Sequence, residues 1–193
     1  MKYLLYSVLF ILFGCSSSIN TILVTNSGQA QGSYYHIKYM SEDGLDYGFQ
    51  IDSILLEIDS SLSVYKSYSI ISRLNNKELV RTDSMFNTVF LASKKIFNQT
   101  DGYFDCSVSP LVNYYGFYNL GNTDSLTIDS SIVRNIVSNI GLDKINIIGD
   151  SLVLPKSMKL DFNAIAQGYT VDLISEFLLD KNINDFLVEV GGE

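Results

Sequence analysis

Residues 160–172, LDFNAIAQGYTVD, place an acid, an amide, small residues and a glycine where a helix begins. A helix start built only for packing has little use for that composition. Gly168 costs roughly 1 kcal/mol relative to Ala inside a helix, and Asn163, Ala164 and Ala166 bury little apolar surface. Such a stretch lets something approach the main chain closely. A pyrophosphate with its metal ion is one such occupant, a backbone carbonyl or a carboxylate completing the oxygen shell of the metal. The other reading is structural: Asp161 caps the helix, and the small residues permit close packing. Asp172, a turn beyond Gly168, reads as a solvated or salt-bridged acid rather than a ligand.

A second stretch, TDGYFDCSVSPLVNYYGF (100–117), is rich in rings. Pro110 suits the first turn of a short helix, with Ser107 or Ser109 as its cap. The open N–H groups of such a turn suit an anion. Tyr103, Phe104, Tyr114, Tyr115 and Phe117 offer flat surfaces to a planar heterocycle, or else fill an interior. The segment SVYKSYSIISRLN (63–75) adds Tyr65, Lys66 and Arg73, with Tyr65 as a wall for a ring or a member of an ordinary polar loop. His36 is the single histidine and has no nucleophile beside it in sequence, so it reads as a surface residue.

The elements that must position these residues follow from periodicity. Ser33–Met40 reads as a strand. Ile51, Ile54, Leu55, Ile58 and Leu62 form the apolar stripe of a helix over 48–62. Met85, Val89, Ala92 and Ile96 repeat that spacing over 84–99, and Asp101-Gly102 ends it. Asp129 caps a helix whose stripe is Ile132, Val133, Ile136, Val137 and Ile140, closed by Gly141. Residues 144–154 read as a hairpin turning at Gly149-Asp150, 164–180 as a helix and 185–190 as a buried strand. Helices and hairpins alternate without a βαβ repeat, which predicts an α+β fold of mixed helices and antiparallel sheet. Gly191-Gly192-Glu193 follow that last strand as a turn would, so the domain over 31–193 reads as incomplete at its C-terminal end.

The 193 residues carry a net charge of −8, and the basic residues are scattered. That excludes a phosphate-backbone footprint and hence nucleic acid as a partner. It also means that an anionic ligand needs a cation or local backbone donors. The N-terminal MKYLLYSVLFILFGCSSS has the charged start and short apolar run of a secretory signal, too short to span a bilayer comfortably. Leu12-Phe13-Gly14-Cys15 is similar to a bacterial lipobox, which implies cleavage before Cys15, a lipid (palmitate) anchor on its thiol, and a polar tether over 16–30. Cys15 and Cys106 are the only cysteines. With Cys15 acylated, Cys106 reads as a small core residue, and any metal should be hard and oxygen-ligated rather than thiolate-bound.

GSYYHIKY (32–39), IDSSLSVYKSYSIISRLNN (58–76), TDGYFDCSVSPLVNYYGF, LDFNAIAQGYTVD and FLVEVGGE (186–193), in that order and at those spacings, resemble the FAD:protein FMN transferases of the ApbE type. The resemblance runs from Gly32 to Glu193 and implies a T-fold-like flavin transferase domain. It implies Mg²⁺-dependent transfer of FMN from FAD to a Thr hydroxyl of an acceptor flavoprotein, with release of AMP. Subunits of sodium- or electron-pumping respiratory complexes are the family's acceptors. Two alternatives stay open: hydrolysis of FAD to FMN and AMP, as some relatives perform, or a lipoprotein that binds FAD without catalysis.

Position by position, the resemblance implies FAD contacts at Gln31, Tyr65, Tyr103, Phe104, Asp105, Asp161 and Gln167. It makes Ala164 a metal ligand through its main-chain carbonyl. Gln167 stands where the family often has Lys or Glu, and Gln31 where Met is common at the pocket edge. The remaining metal ligands and the catalytic base are expected beyond residue 193, so that residues 1–193 alone bind Mg²⁺ poorly. The implied location is the periplasmic side of the inner membrane, held by the lipid.

Overall fold

The computed structural model describes residues 20–42, 44–117, 128–148 and 151–193. Cys15, the signal segment and the Gly149-Asp150 turn lie outside them.

The chain opens with a hairpin. Strand β1 (Thr21–Ala30) pairs antiparallel with β2 (Ser33–Glu42) along its whole length, from Thr21 opposite Glu42 to Ala30 opposite Ser33. Gln31 and Gly32 form the two-residue turn, both with positive φ, +52° and +76°, the backbone sign that matches the twist of a hairpin. The tether expected over 16–30 is therefore strand from Thr21 onward. TILVTNSGQA reads as a linker because β1 is an edge strand with little of its surface buried. An edge strand needs no strong apolar alternation.

Strand β5 (Phe186–Val190) pairs with the other side of β2, giving the order β1-β2-β5. On β2, Tyr35, Ile37, Tyr39 and Ser41 point inward, whereas His36 and Lys38 are exposed. The inner face packs on helices α1 (Gly48–Leu62) and α6 (Asn163–Asp180), through Ile51, Leu55, Ile174, Leu178 and Val190. A second cluster lies beyond, where Ile58 and Leu62 of α1 meet α2 (Ile70–Asn75), α3 (Ser84–Gln99) and the segment Met158–Phe162. Helices α1 and α6 thus span both clusters and fix where the sheet stands relative to that segment.

The stripe expected on α1 is the buried one, with Ile54 at its margin. On α3 the period is as expected but the phase is shifted. Phe86, Val89, Phe90 and Ser93 are buried, and Met85, Ala92 and Ile96 are half-buried. The two Phe rings decide this, because Phe86 meets Phe162 edge-on with centroids 5.3 Å apart. A ring buries more area than Met or Ala, so it takes the central position.

Helix α4 (Ser109–Tyr114) starts with Pro110 in its first turn, but Val108 occupies the cap position and neither Ser107 nor Ser109 caps it. Helix α5 (Ser130–Asn139) is capped as expected, Asp129 accepting the Ser131 N–H at 2.7 Å. Its apolar stripe buries none of its members. Strands β3 (Asn146–Ile148) and β4 (Ser151–Val153) form the expected second hairpin.

Tyr35 provides a pH probe of the sheet face. Burial, and then the hydrogen bond that its hydroxyl donates to Asp52 Oδ1 at 2.9 Å, push its phenol from 10.0 up to about 12. The folded state holds this proton more tightly than the unfolded chain. Its contribution is therefore complete below pH 10 and is lost as pH rises through about 12. Thermal melts between those two pH values should show a falling midpoint, and Tyr35→Phe should flatten the fall.

Candidate functional site

The two stretches singled out by composition lie side by side. Val108 and Lys159 form a parallel bridge, and the Asp161 N–H donates to the Cys106 carbonyl at 2.7 Å. Backbone pairing thus carries the Tyr103–Asp105 loop to the start of α6. The carboxylate of Asp161, itself buried, accepts the Asn163 N–H at 2.7 Å and faces the Asn163 side-chain amide at 3.3 Å. That amide also reaches the Tyr65 hydroxyl at 3.4 Å, across 98 residues of sequence. Phe162 occupies the cap position of α6 without a side-chain cap bond, so Asp161 holds the first helical N–H from one residue ahead and, through Asn163, joins a polar chain that reaches an exposed ring.

Gln31 joins from the hairpin turn. Its side-chain amide donates to Thr170 Oγ1 at 2.5 Å, and Thr170, fully buried in α6, donates to the Ala166 carbonyl at 2.7 Å. Gln31, Asp59, Ser63, Tyr65, Asn163 and Ala166 line one recess. Tyr65 also borders a cleft of about 480 Å³ with a mixed lining that includes Val64, Pro110, Asn75, Asn113, Ser157 and Lys159. Clefts of this size accept small organic ligands.

The other sequence-derived residues divide. Asp105 accepts the N–H and hydroxyl of Ser107 at 2.8 and 2.7 Å, and Ser107 Oγ accepts the Gly141 N–H at 2.7 Å. Asp105 is thus engaged in holding its own loop. Phe104 is half-buried, with its N–H on Thr100 Oγ1, and Tyr103 is 97% exposed, its ring in solvent. Ala164 and Gln167 border a groove of about 540 Å³ between α3 and α6 that Gly168, Asp172 and Glu193 also line. Gln167 lies against the turn after β5, where a Cβ on Gly191 would sit 2.1 Å from its Nε2. Cys106 is buried, and that burial raises its thiol to about 12. It is a core residue and not a nucleophile.

Gly168 lies inside α6, as the helix expected over 164–180 has it, and a Cβ there would meet nothing within 4 Å outside its own helix. Among the described residues, close packing therefore does not account for this glycine. Side chains tilt toward the helix N-terminus, so those at i+3 and i+4 lean over the carbonyl of residue i. For the Ala164 carbonyl these are Gln167 and Gly168, and the glycine leaves one side of it open.

Asn163 and Asn75 both stand in chemically unusual stretches, but local sequence announces neither link: the partner of Asn163 lies 98 positions away and that of Asn75 lies 85.

Known proteins share this sequence pattern and this fold. The pattern of the ApbE family matches residues 31–193. An FAD:protein FMN transferase of Vibrio cholerae serotype O1 is 29% identical over 195 residues, covering 96% of this chain and 57% of the relative. That of Haemophilus influenzae is 28% identical over 188 residues, covering 90% and 54%. In structure, the flavin transferase ApbE from Vibrio cholerae superposes with a TM-score of 0.80 at 28% identity, over 90% of this chain and 58% of that one. The apo form of the Pseudomonas stutzeri flavinyl transferase ApbE gives 0.78 at 29%, over 89% and 57%. The chain spans little more than half the length of these relatives. The family pattern over residues 31–193 and the superpositions agree: the chain belongs to the ApbE family.

Proposed function

We propose that the full-length protein transfers FMN from FAD to a Thr hydroxyl of an acceptor flavoprotein, with AMP as the leaving group. The observation that carries this reading is the start of α6. Asp161, Asn163 and Tyr65 form a connected polar group beside a helical turn kept bare at Ala164 and Gly168. Relatives of this chain bear the name FAD:protein FMN transferase.

In the reaction, the Thr oxygen forms a bond to the FMN phosphorus while the bond from that phosphorus to the AMP oxygen breaks. The hydroxyl proton passes to a general base. Such transfers depend on positioning and charge neutralisation more than on covalent help. Tyr65 would wall the planar ring system, and Gln31 would border the recess from the hairpin tip. Asp161 would hold the Asn163 amide toward the ligand. Gln167, neutral and packed at the Gly191 turn, would contribute hydrogen bonding rather than charge.

The family's Mg²⁺ fits the donor chemistry here only in part. The Ala164 carbonyl is a hard oxygen donor in an open turn. Among the described residues, however, no group of three His, Cys, Asp or Glu side chains is placed to hold a metal ion. The described residues would thus supply a minority of the shell, and Mg²⁺ when bound would offset the diphosphate charge against a protein of net −8. We also propose that Cys15 carries a lipid that anchors the protein at the periplasmic side of the inner membrane. Among the described residues no helix is long and apolar enough to cross a membrane.

The test is to incubate full-length protein with FAD, Mg²⁺ and an acceptor domain bearing the target Thr. Covalent flavin fluorescence on the denatured acceptor, stoichiometric with AMP, is the expected result. Free FMN with an unlabelled acceptor would assign a pyrophosphatase instead, and no turnover with retained FAD binding would assign a binding protein.

A further inference from the structure

The segment 158–161 is an extended chain paired on one side only. Lys159 bridges to Val108, and the Asp161 N–H donates to the Cys106 carbonyl. Main-chain groups of successive residues in an extended chain point to opposite sides. The N–H and C=O of Leu160 therefore face away from that pairing, and among the described residues no strand meets them there. A side chain does. Asn75 Oδ1 accepts the Leu160 N–H at 2.7 Å, and Asn75 Nδ2 donates to the Leu160 carbonyl at 2.8 Å. A carboxamide presents the same donor and acceptor as a peptide unit, so Asn75 occupies the place of a strand residue.

We propose that Asn75 is a positioning residue for the Asp161–Asn163–Tyr65 group, acting through the main chain of Leu160. Its place at the end of α2 gives this effect reach. Beside it, Lys77 Nζ donates to the carbonyls of Pro155 and Met158 at 2.9 and 2.5 Å, fastening the same segment upstream. At the other end of α2, the hydroxyls of Ser69 and Ser72 donate to the Ser63 carbonyl at 2.6 and 3.2 Å. Ser63 begins the turn that carries Tyr65, whose N–H donates to Ser63 Oγ at 3.3 Å. One short helix thus grips the Tyr65 turn and the Asp161 segment together. It sets the spacing across which Asn163 bridges them.

The assignment rests on the proposed role of that site in FAD binding, and its test separates the two. In full-length Asn75→Ala, amide exchange at Leu160 and Asn163 should quicken about tenfold while α3 amides keep their rates, as for a local opening. FAD affinity should fall about tenfold, and the double variant with Asp161→Ala should bind FAD no more weakly than Asp161→Ala alone, because both act through one group. Asn75→Asp keeps the acceptor for Leu160 N–H and loses the donor, so it should fall between. Unchanged exchange at Asn163, or strictly additive losses, would overturn the proposal. If Asp161→Ala leaves FAD binding intact while exchange at Asn163 still rises in Asn75→Ala, the FAD site lies elsewhere and the positioning role stands.

Discussion

Asp161→Ala in the full-length protein is expected to lower FMN transfer by roughly 100-fold, the scale of loss when a positioning group is removed. Two functions of one carboxylate are removed together. Its Oδ1 serves like a cap from one residue ahead of the cap position, accepting the Asn163 N–H that opens α6, and its Oδ2 faces the amide that reaches Tyr65. Loss of a cap costs about 1 kcal/mol, a modest part of a domain's stability. Asp161→Asn separates the two. An amide oxygen still caps the helix, so the thermal midpoint should stay near that of the parent. The amide nitrogen, however, sets donor against donor at Asn163, whose carboxamide must flip to present its oxygen there, so the donor it offers toward Tyr65 and the ligand is lost. Steady-state transfer and thermal melts on both variants check this. Asp161→Asn should melt like the parent and transfer like Asp161→Ala. Parent-like transfer in Asp161→Asn would reduce Asp161 to a helix cap.

Gly168 should show the opposite sign in its two readouts. Inside a helix, Ala is favoured over Gly by about 1 kcal/mol, and a Cβ at this position meets nothing within 4 Å outside its own helix. Gly168→Ala should therefore raise the melting midpoint by roughly 2–4 °C, the shift that about 1 kcal/mol gives a domain of this size. It should also weaken FAD binding in the presence of Mg²⁺, because the new methyl leans over the Ala164 carbonyl. Gly168→Leu should deepen that loss to roughly 100-fold in transfer, a misplacement of the order of 1 Å. A more stable protein that works less well is what a glycine kept for ligand access produces. If both variants transfer FMN like the parent, the bare turn has no ligand beside it. The proposed metal contact at Ala164 would fall with it.

What reached the surface of the sequence was local. The stripe of α1 was legible because its buried residues recur at one helical spacing over 15 positions. The Asp129 cap was legible because a cap and its N–H lie two residues apart. On α3 the spacing was legible but the phase was not, since the choice of face belongs to Phe162, 76 residues beyond the Phe86 ring that it meets. Strand β1 was hidden because an edge strand is specified by its partner β2 more than by its own alternation. On α5 the stripe predicted burial, but its described neighbours leave every member half-buried or exposed.

The same division holds at the site. The amino-acid sequence alone determined which stretches are chemically unusual, because small residues, a glycine and grouped rings are properties of composition. Their order and spacing were enough for the family resemblance. Only the tertiary structure decided that Asn163 joins Asp161 to Tyr65, that Gln31 ties the hairpin to α6, and that Asn75 stands in for a strand beside Leu160. Each of those links spans 85 residues or more. A hydrogen bond of about 3 Å is formed by atoms that folding brings together, and nothing in the local chain announces it.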